Sequence, residues 1–238
     1  MTIKRILKRF SHLFVLDYMN KRLIFRVVAF VLAGYFAFRT IVMGAYFLDE
    51  GRWGGSLMFL SNWNLLINFI MASCALYKEY EPKFNSHNLL LPASMGINII
   101  VVILYWVLRA MGAFGDGTED GWDIFDHLRN IYVHLGTTII LFIEAIFFNK
   151  IFGNLRQEYG GYMVIFISYI IWMEAFVAPN NDEPCGSVSC GFPYLFINDL
   201  SVTGRTIFYF GVWMLGNFAW AFSYYLYQYK ERNWNSIE

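Results

Sequence analysis

The sequence predicts an all-α, polytopic membrane protein: a six-helix transmembrane bundle whose N- and C-termini are both cytoplasmic. Of the 238 residues, 58% are hydrophobic and only 15% are charged, whereas soluble domains carry about a quarter charged residues. Six apolar segments approach the ~20 residues that a bilayer-spanning helix needs. Basic residues are concentrated on one side of these segments, as is typical of the cytoplasmic side.

The six predicted spans form one transmembrane domain, residues 24–228. They lie near residues 24–47, 55–77, 88–113, 128–150, 161–179 and 204–228. A basic amphipathic segment, 1–23, precedes them, and a cytoplasmic tail, 229–238, follows. The N-terminal segment is expected to lie on the membrane surface, and a disordered basic tail is the alternative. It lacks the long apolar core and cleavage site of a signal peptide.

The orientation follows from the basic residues, because an even number of spans places both termini on one side. The N-terminal segment, the second and fourth loops and the C-terminus carry Lys4, Arg5, Lys8, Arg9, Lys21, Arg22, Arg26, Lys78, Lys83, Lys150, Arg156, Lys230 and Arg232. The other loops and their flanks carry Arg52, Arg129 and Arg205. The positive-inside rule therefore predicts cytoplasmic termini.

Charge and cysteine content exclude several classes of function. The formal net charge is zero and no basic–aromatic stripe is present, so no nucleic-acid partner is expected. Three cysteines are too few for a disulfide scaffold and lack metal-site spacing. Cys185 and Cys190, in the outer fifth loop, either form a small disulfide loop or remain free thiols. Cys74 is expected to be a small apolar filler.

Two of the predicted spans carry a polar stripe. In the second span Ser61, Asn64 and Asn68 share one helical face, since residues three and four apart are neighbours on a helix. In the fourth span the same spacing joins Asn130, His134, Thr137 and Thr138. Polar side chains within a bilayer are expected to face protein or water, because lipid offers no hydrogen-bond partners. Asn98 and Asn217, in the third and sixth spans, are expected to be helix-packing residues.

Ser61 and His134 are the candidate catalytic residues. Each lies about six residues into a span that runs inwards, which places both about 9 Å below the outer boundary. A neutral histidine can take the proton of a serine hydroxyl and make it a nucleophile. Asn62 or Asn64 could donate to the developing oxyanion. The alternative interpretation is packing, because serine, asparagine and histidine also join transmembrane helices by hydrogen bonds.

Charged residues inside the spans need partners. Arg39 and Glu174 both fall in the outer half of the membrane, so an ion pair between them is the preferred interpretation. Glu174 could instead orient His134 as the third member of a catalytic triad. Glu144 lies deeper and is expected to reach towards the interface or to pair with Lys150.

Three short motifs resemble the androgen-induced-gene and androgen-dependent TFPI-regulating protein family, which is similar in turn to the rolling-stone proteins. They are Phe59-Leu60-Ser61-Asn62-Trp63-Asn64, His134-Leu135-Gly136-Thr137-Thr138 with Ile143-Glu144, and Gly191-Phe192-Pro193-Tyr194-Leu195. The order and spacing of the spans agree as well, so the resemblance covers nearly the whole chain.

The resemblance implies a cofactor-independent intramembrane hydrolase of lipid esters, namely fatty-acid esters of hydroxy fatty acids. It implies a threonine nucleophile in the second span and a histidine in the fourth, and these roles fall on Ser61 and His134. Serine keeps the hydroxyl that the chemistry needs. The expected partner is a lipid ester from the bilayer, and the expected location is the endoplasmic reticulum or the plasma membrane.

Two other functions stay open on the sequence. One is a non-enzymatic membrane protein in adhesion, fusion or partner regulation, as the rolling-stone likeness suggests. The other is a small transporter that uses Arg39, His134 and Glu174, although the six spans show no internal repeat.

Overall fold

Seven helices account for most of the chain in a computed structural model. The structure describes residues 3–43, 53–84, 86–112, 123–148, 152–181, 184–185, 188–189 and 191–234. The helices are α1 Ile3–Ala37 with a π-helical continuation Phe38–Met43, α2 Leu60–Tyr80, α3 Ser86–Ala110, α4 Ile124–Phe148, α5 Leu155–Asn180, α6 Leu195–Asn198 and α7 Val202–Trp234. A 3₁₀ turn, Gly55–Met58, leads into α2. Two short strands, β1 Pro184–Cys185 and β2 Val188–Ser189, pair antiparallel.

The predicted all-helical fold is confirmed, and within the described ranges four stretches of helix are long and apolar enough to cross a membrane. They are Asn20–Met43, Leu90–Ala110, Ile124–Phe148 and Leu155–Asn180. Two more long helices of the described part of the chain, α2 and α7, have a mean hydropathy too low to be included among these four. The amides of Asn62, Asn64 and Asn68 contribute to the low hydropathy of α2. The structure thus has the character of an integral multi-pass membrane protein.

Apolar side chains line the outer faces of the first and last long helices. On α1 the exposed residues are Ile24, Val28, Val31, Tyr35, Phe38 and Val42. On α7 they are Ile207, Phe210, Met214, Phe218 and Phe222, which recur every three or four residues. Water-facing helices are polar on this side, so these stripes are typical of helices that contact lipid.

Helix α3 lies at the centre and packs against α2, α5 and α7. Its Ala93, Ile97 and Ile100 are completely buried. Glycine lets the chain pack closely at this centre, because a Cβ at position 216 of α7 would overlap the hydroxyl of Tyr162 from α5. The helices therefore meet at van der Waals distance where the bundle is most buried.

A buried ion cluster joins α1, α2 and α4. The Arg26 guanidinium lies 2.5 Å from Glu144 and 2.6 Å from Glu79, which also binds Arg22 at 2.7 Å. Only 5% of Glu144 is exposed, so the prediction that it reaches the membrane interface is wrong. The reason is that α1 packs beside α4 and supplies a cation at the same depth. Its other predicted partner, Lys150, lies outside the described residues.

The predicted ion pair between Arg39 and Glu174 is also wrong. Arg39 lies 3.5 Å from Asp126 at the beginning of α4. Glu174 instead binds Arg205, at 3.0 Å, and accepts a hydrogen bond from the Tyr209 hydroxyl at 2.9 Å. Both partners of Glu174 belong to α7, which runs beside the end of α5. Ion pairs form between neighbouring helices, and hydropathy does not reveal which helices are neighbours.

Candidate functional site

A cavity of about 490 Å³ lies where the beginning of α2 meets α3, α4, α5 and α7. A volume of this size holds a drug-sized molecule or part of a lipid. Most of its wall is apolar, and polar groups are contributed by Thr40, Ser56, Ser61, Asn62, Tyr105, Arg129, Asn130, His134, Tyr169, Tyr194 and Tyr209. An apolar chamber with a few convergent polar side chains is typical of a ligand site.

Ser61 reaches the cavity from the first turn of α2. The preceding turn begins at Gly54, whose φ of 93° lies in the left-handed region that favours glycine. The Ser56 hydroxyl donates to the Thr40 carbonyl at 2.9 Å, and the Asn62 amide donates to the Ser56 carbonyl at 2.6 Å. These bonds hold the entry into α2 against the end of α1 and so fix the position of Ser61.

His134 reaches the same cavity from a π-helical turn of α4, Tyr132–Gly136. Such turns are frequent at functional sites. The imidazole lies parallel to the Tyr105 ring of α3, with centroids 3.6 Å apart and planes 6° apart. Its Nδ1 atom is buried and has no hydrogen-bond partner among the described residues. Gly136 ends this turn, and a Cβ there would lie 3.0 Å from the Tyr132 ring, so the ring would have to shift to admit a larger residue.

The structure therefore brings the two residues that the sequence singled out, Ser61 and His134, to one cavity. They come from different helices that contact each other directly. No hydrogen bond joins them in the described part of the chain. Such bonds often form only when a substrate is bound.

The three supporting candidates lie in different places. Asn62 lines the cavity beside Ser61. Asn64 is completely buried below it, where its amide donates to Asn98 at 3.1 Å. Glu174 is held by Arg205 and lies outside the cavity wall. Among the described residues, no carboxylate therefore orients His134.

A network of amides and hydroxyls lies beneath the cavity. Asn98 of α3 is its centre, and its Oδ1 accepts from Asn64 and Asn68 of α2 at 3.1 Å and from Thr138 of α4 at 3.3 Å. Thr137 lies 3.5 Å from the Asn64 amide. This network ties together the helices that carry Ser61 and His134, and it includes Asn64, Asn68, Thr137 and Thr138 of the two polar stripes. The remaining stripe residue, Asn130, donates to the Tyr105 hydroxyl instead.

Sequence reasoning missed the aromatic residues that frame the cavity. The Tyr194 hydroxyl accepts a hydrogen bond from the Leu60 backbone N–H at 3.1 Å, next to Ser61. Burial raises the pKa of Tyr194, so its hydroxyl stays protonated at neutral pH. Tyr194 belongs to one of the motifs that carried the family resemblance, and that was the available signal. No signal in the sequence pointed to Tyr105, because it is one aromatic residue among many.

Two further predictions concern groups around the site. Cys190 lies outside the described residues, as does the side chain of Cys185, so the predicted disulfide stays a prediction. Within the described ranges, no group of three histidine, cysteine or acidic side chains could hold a metal ion.

The sequence pattern of the FAR-17a/AIG1-like protein family matches residues 21–228. The chain belongs to this family. No characterised protein and no solved structure gave a further match. In this FAR-17a/AIG1-like protein, three separate motifs meet at one cavity, through Ser61, His134 and Tyr194. Family membership thus agrees with the predicted resemblance.

Proposed function

We propose that this FAR-17a/AIG1-like protein is an intramembrane hydrolase of lipid esters, with Ser61 as nucleophile and His134 as base. The supporting observation is that both side chains line one largely apolar cavity although they are 73 positions apart in the sequence. The family resemblance suggests fatty-acid esters of hydroxy fatty acids as the substrates. An apolar wall suits acyl chains, and the few polar groups suit the ester.

The reaction begins when a lipid enters the cavity sideways from the bilayer. His134 accepts the proton of Ser61 as the hydroxyl oxygen attacks the ester carbonyl. The Asn62 amide, which has a second hydrogen besides the one bound to Ser56, donates to the developing oxyanion. His134 then protonates the departing alcohol. Water attacks the acyl-enzyme, with His134 again as base, and releases the fatty acid.

The proposal includes the membrane topology. We infer that α2 and α7 also cross the membrane, giving six spans with cytoplasmic termini. At 1.5 Å per residue the 21 residues of α2 reach about 32 Å, which matches the hydrocarbon thickness. The exposed apolar stripe of α7 supports lipid contact along that helix as well. The cavity then lies near the non-cytoplasmic surface, where water can reach the acyl-enzyme.

The test compares purified Ser61→Ala, His134→Ala and Ser61→Thr proteins with the parent on a panel of lipid esters. We expect the two alanine variants to lose hydrolysis, and Ser61→Thr to keep part of it because the hydroxyl remains. Ser73→Ala is the matched control, since Ser73 lies on α2 and its hydroxyl donates to the Phe69 carbonyl of the same helix. Turnover by Ser61→Ala at the parent rate would overturn the assignment.

A fluorophosphonate probe separates the hydrolase from a non-enzymatic membrane protein. The probe phosphonylates an activated serine hydroxyl as its fluoride leaves, so labelling is expected in the parent protein and absent in Ser61→Ala. A protein with a role only in adhesion or partner regulation would not be labelled at Ser61. Labelling that persists in Ser61→Ala would place the reactive group elsewhere.

A further inference from the structure

We infer that Tyr105 is the positioning residue for His134, an inference that rests on the proposed hydrolase function. A histidine base needs a fixed ring orientation, which a carboxylate or carbonyl bound to its second nitrogen commonly supplies. Here Nδ1 of His134 has no such partner within the described residues. Glu174, the carboxylate that the sequence offered as a third triad member, is held by Arg205.

The Tyr105 ring supplies the missing constraint by stacking. Its centroid lies 3.6 Å from that of the imidazole and the planes differ by only 6°. Because the two rings are in contact face to face, the imidazole cannot tilt towards Tyr105. It can still rotate within its own plane. Because the electron-rich face of tyrosine also favours a cation, the same contact supports His134 while it carries the proton of Ser61.

The Tyr105 side chain is itself anchored. Its hydroxyl accepts a hydrogen bond from the Asn130 amide at 2.5 Å and another from Arg109 at 2.9 Å. Asn130 lies one turn before His134 on α4, so the bond ties the tyrosine to the helix that carries the base. Both Tyr105 and Asn130 line the cavity. Tyrosine and histidine are therefore fixed as one unit across α3 and α4.

The test measures kcat and KM for Tyr105→Phe and Tyr105→Leu. We expect Tyr105→Leu to lower kcat about 10- to 100-fold with a smaller change in KM, because a misplaced base slows the chemical step more than binding. The fluorophosphonate labelling rate of Ser61 should fall in parallel. Tyr105→Phe keeps the stacking ring but loses the hydroxyl that Asn130 and Arg109 bind, so its kcat should fall between that of the parent and that of Tyr105→Leu.

Controls separate positioning from folding. Phe218→Leu removes an aromatic ring of α7 that is 70% exposed and lies outside the cavity wall, and it should leave both constants unchanged. If Tyr105→Leu elutes as aggregate in gel filtration, Tyr105→Met, which fills the space with a flexible chain, replaces it. A leucine or methionine variant with the parent kcat would overturn the inference, as would a phenylalanine variant as slow as leucine.

The outcomes also separate this inference from the proposed function. If Ser61→Ala is inactive while Tyr105→Leu turns over at the parent rate, only the positioning role is wrong. If Ser61→Ala retains the parent rate, the hydrolase assignment is wrong, and the role of Tyr105 in that assignment is wrong with it.

Discussion

The Glu144 carboxylate lies 2.5 Å from the Arg26 guanidinium, and both side chains are almost completely buried between α1 and α4. The adjoining Glu79 carboxylate, on α2, binds Arg26 and Arg22 together. Two positive and two negative side chains thus compensate each other where three helices converge. Glu79 lies 18 residues beyond Ser61 on α2, about 27 Å along the helix. The ion cluster and the cavity therefore occupy opposite ends of α2.

Replacing Arg26 by methionine should destabilise the protein strongly. The change removes the guanidinium that binds the buried Glu144 carboxylate, and breaking such pairs costs about 3–5 kcal/mol. The measurement is thermal or detergent-induced unfolding of purified protein in micelles. In the double variant Arg26→Met, Glu144→Leu, much of the stability should return, because the buried carboxylate is removed together with its cation and Glu79 keeps Arg22.

The control for the ion cluster is Arg22→Met. Arg22 is more exposed than Arg26, and Glu79 retains Arg26 when it is replaced, so a loss of at most about 1 kcal/mol is expected. If the double variant is no more stable than Arg26→Met alone, the buried charge is not the cause of the destabilisation.

Gly216→Ala should destabilise the bundle through a steric clash. The added Cβ would overlap the Tyr162 hydroxyl and the end of Ile100, in a region where the neighbouring side chains are fully buried. Overpacking of this kind costs about 1–3 kcal/mol. Tyr162→Phe removes the clashing oxygen, which has no hydrogen-bond partner among the described residues, so the double variant should recover part of the stability.

Unfolding in micelles also measures the destabilisation by Gly216→Ala, and Gly211→Ala is its matched control. Gly211 lies on the same helix, and its Cβ would meet open space, so little change is expected. Equal destabilisation by both alanine substitutions would indicate a general effect of replacing glycine in α7 and would contradict the clash.

Tyr194→Phe should slow ester hydrolysis. The change removes the acceptor of the Leu60 backbone N–H at the beginning of α2, immediately before Ser61, and small displacements of a nucleophile reduce the rate about tenfold or more. Lipid-ester turnover and probe labelling are the measurements. Tyr225→Phe, an exposed substitution on α7, should have no effect.

The pH profile adds a check on Tyr194. Because burial raises the pKa of its hydroxyl, the group stays neutral below its usual titration range. Deprotonation of Tyr194 should therefore cause no loss of activity between about pH 7 and pH 9. A fall in that range that disappears in Tyr194→Phe would show that the hydroxyl ionises there.

The length of the apolar segments predicted the long helices, and the polar residues within them indicated Ser61 and His134, which both line the cavity. Ser61 and His134 stand out because polar groups are rare in apolar helices and share a face with others of their kind. The partners of Arg39, Glu174 and Glu144 were predicted wrongly or missed, because several charged residues lie at a similar depth in different helices. Which of these residues form a pair depends on which helices pack together, and hydropathy carries no information about helix order.

The amide centre at Asn98 has a consequence for how the protein responds to heat. Its Oδ1 atom accepts hydrogen bonds from both α2 and α4, beneath the two side chains proposed to react. Parts of a folded protein can open locally at a lower free energy than global unfolding requires. Warming should thus uncouple nucleophile from base and abolish turnover at a temperature where the circular dichroism of the helices is still unchanged.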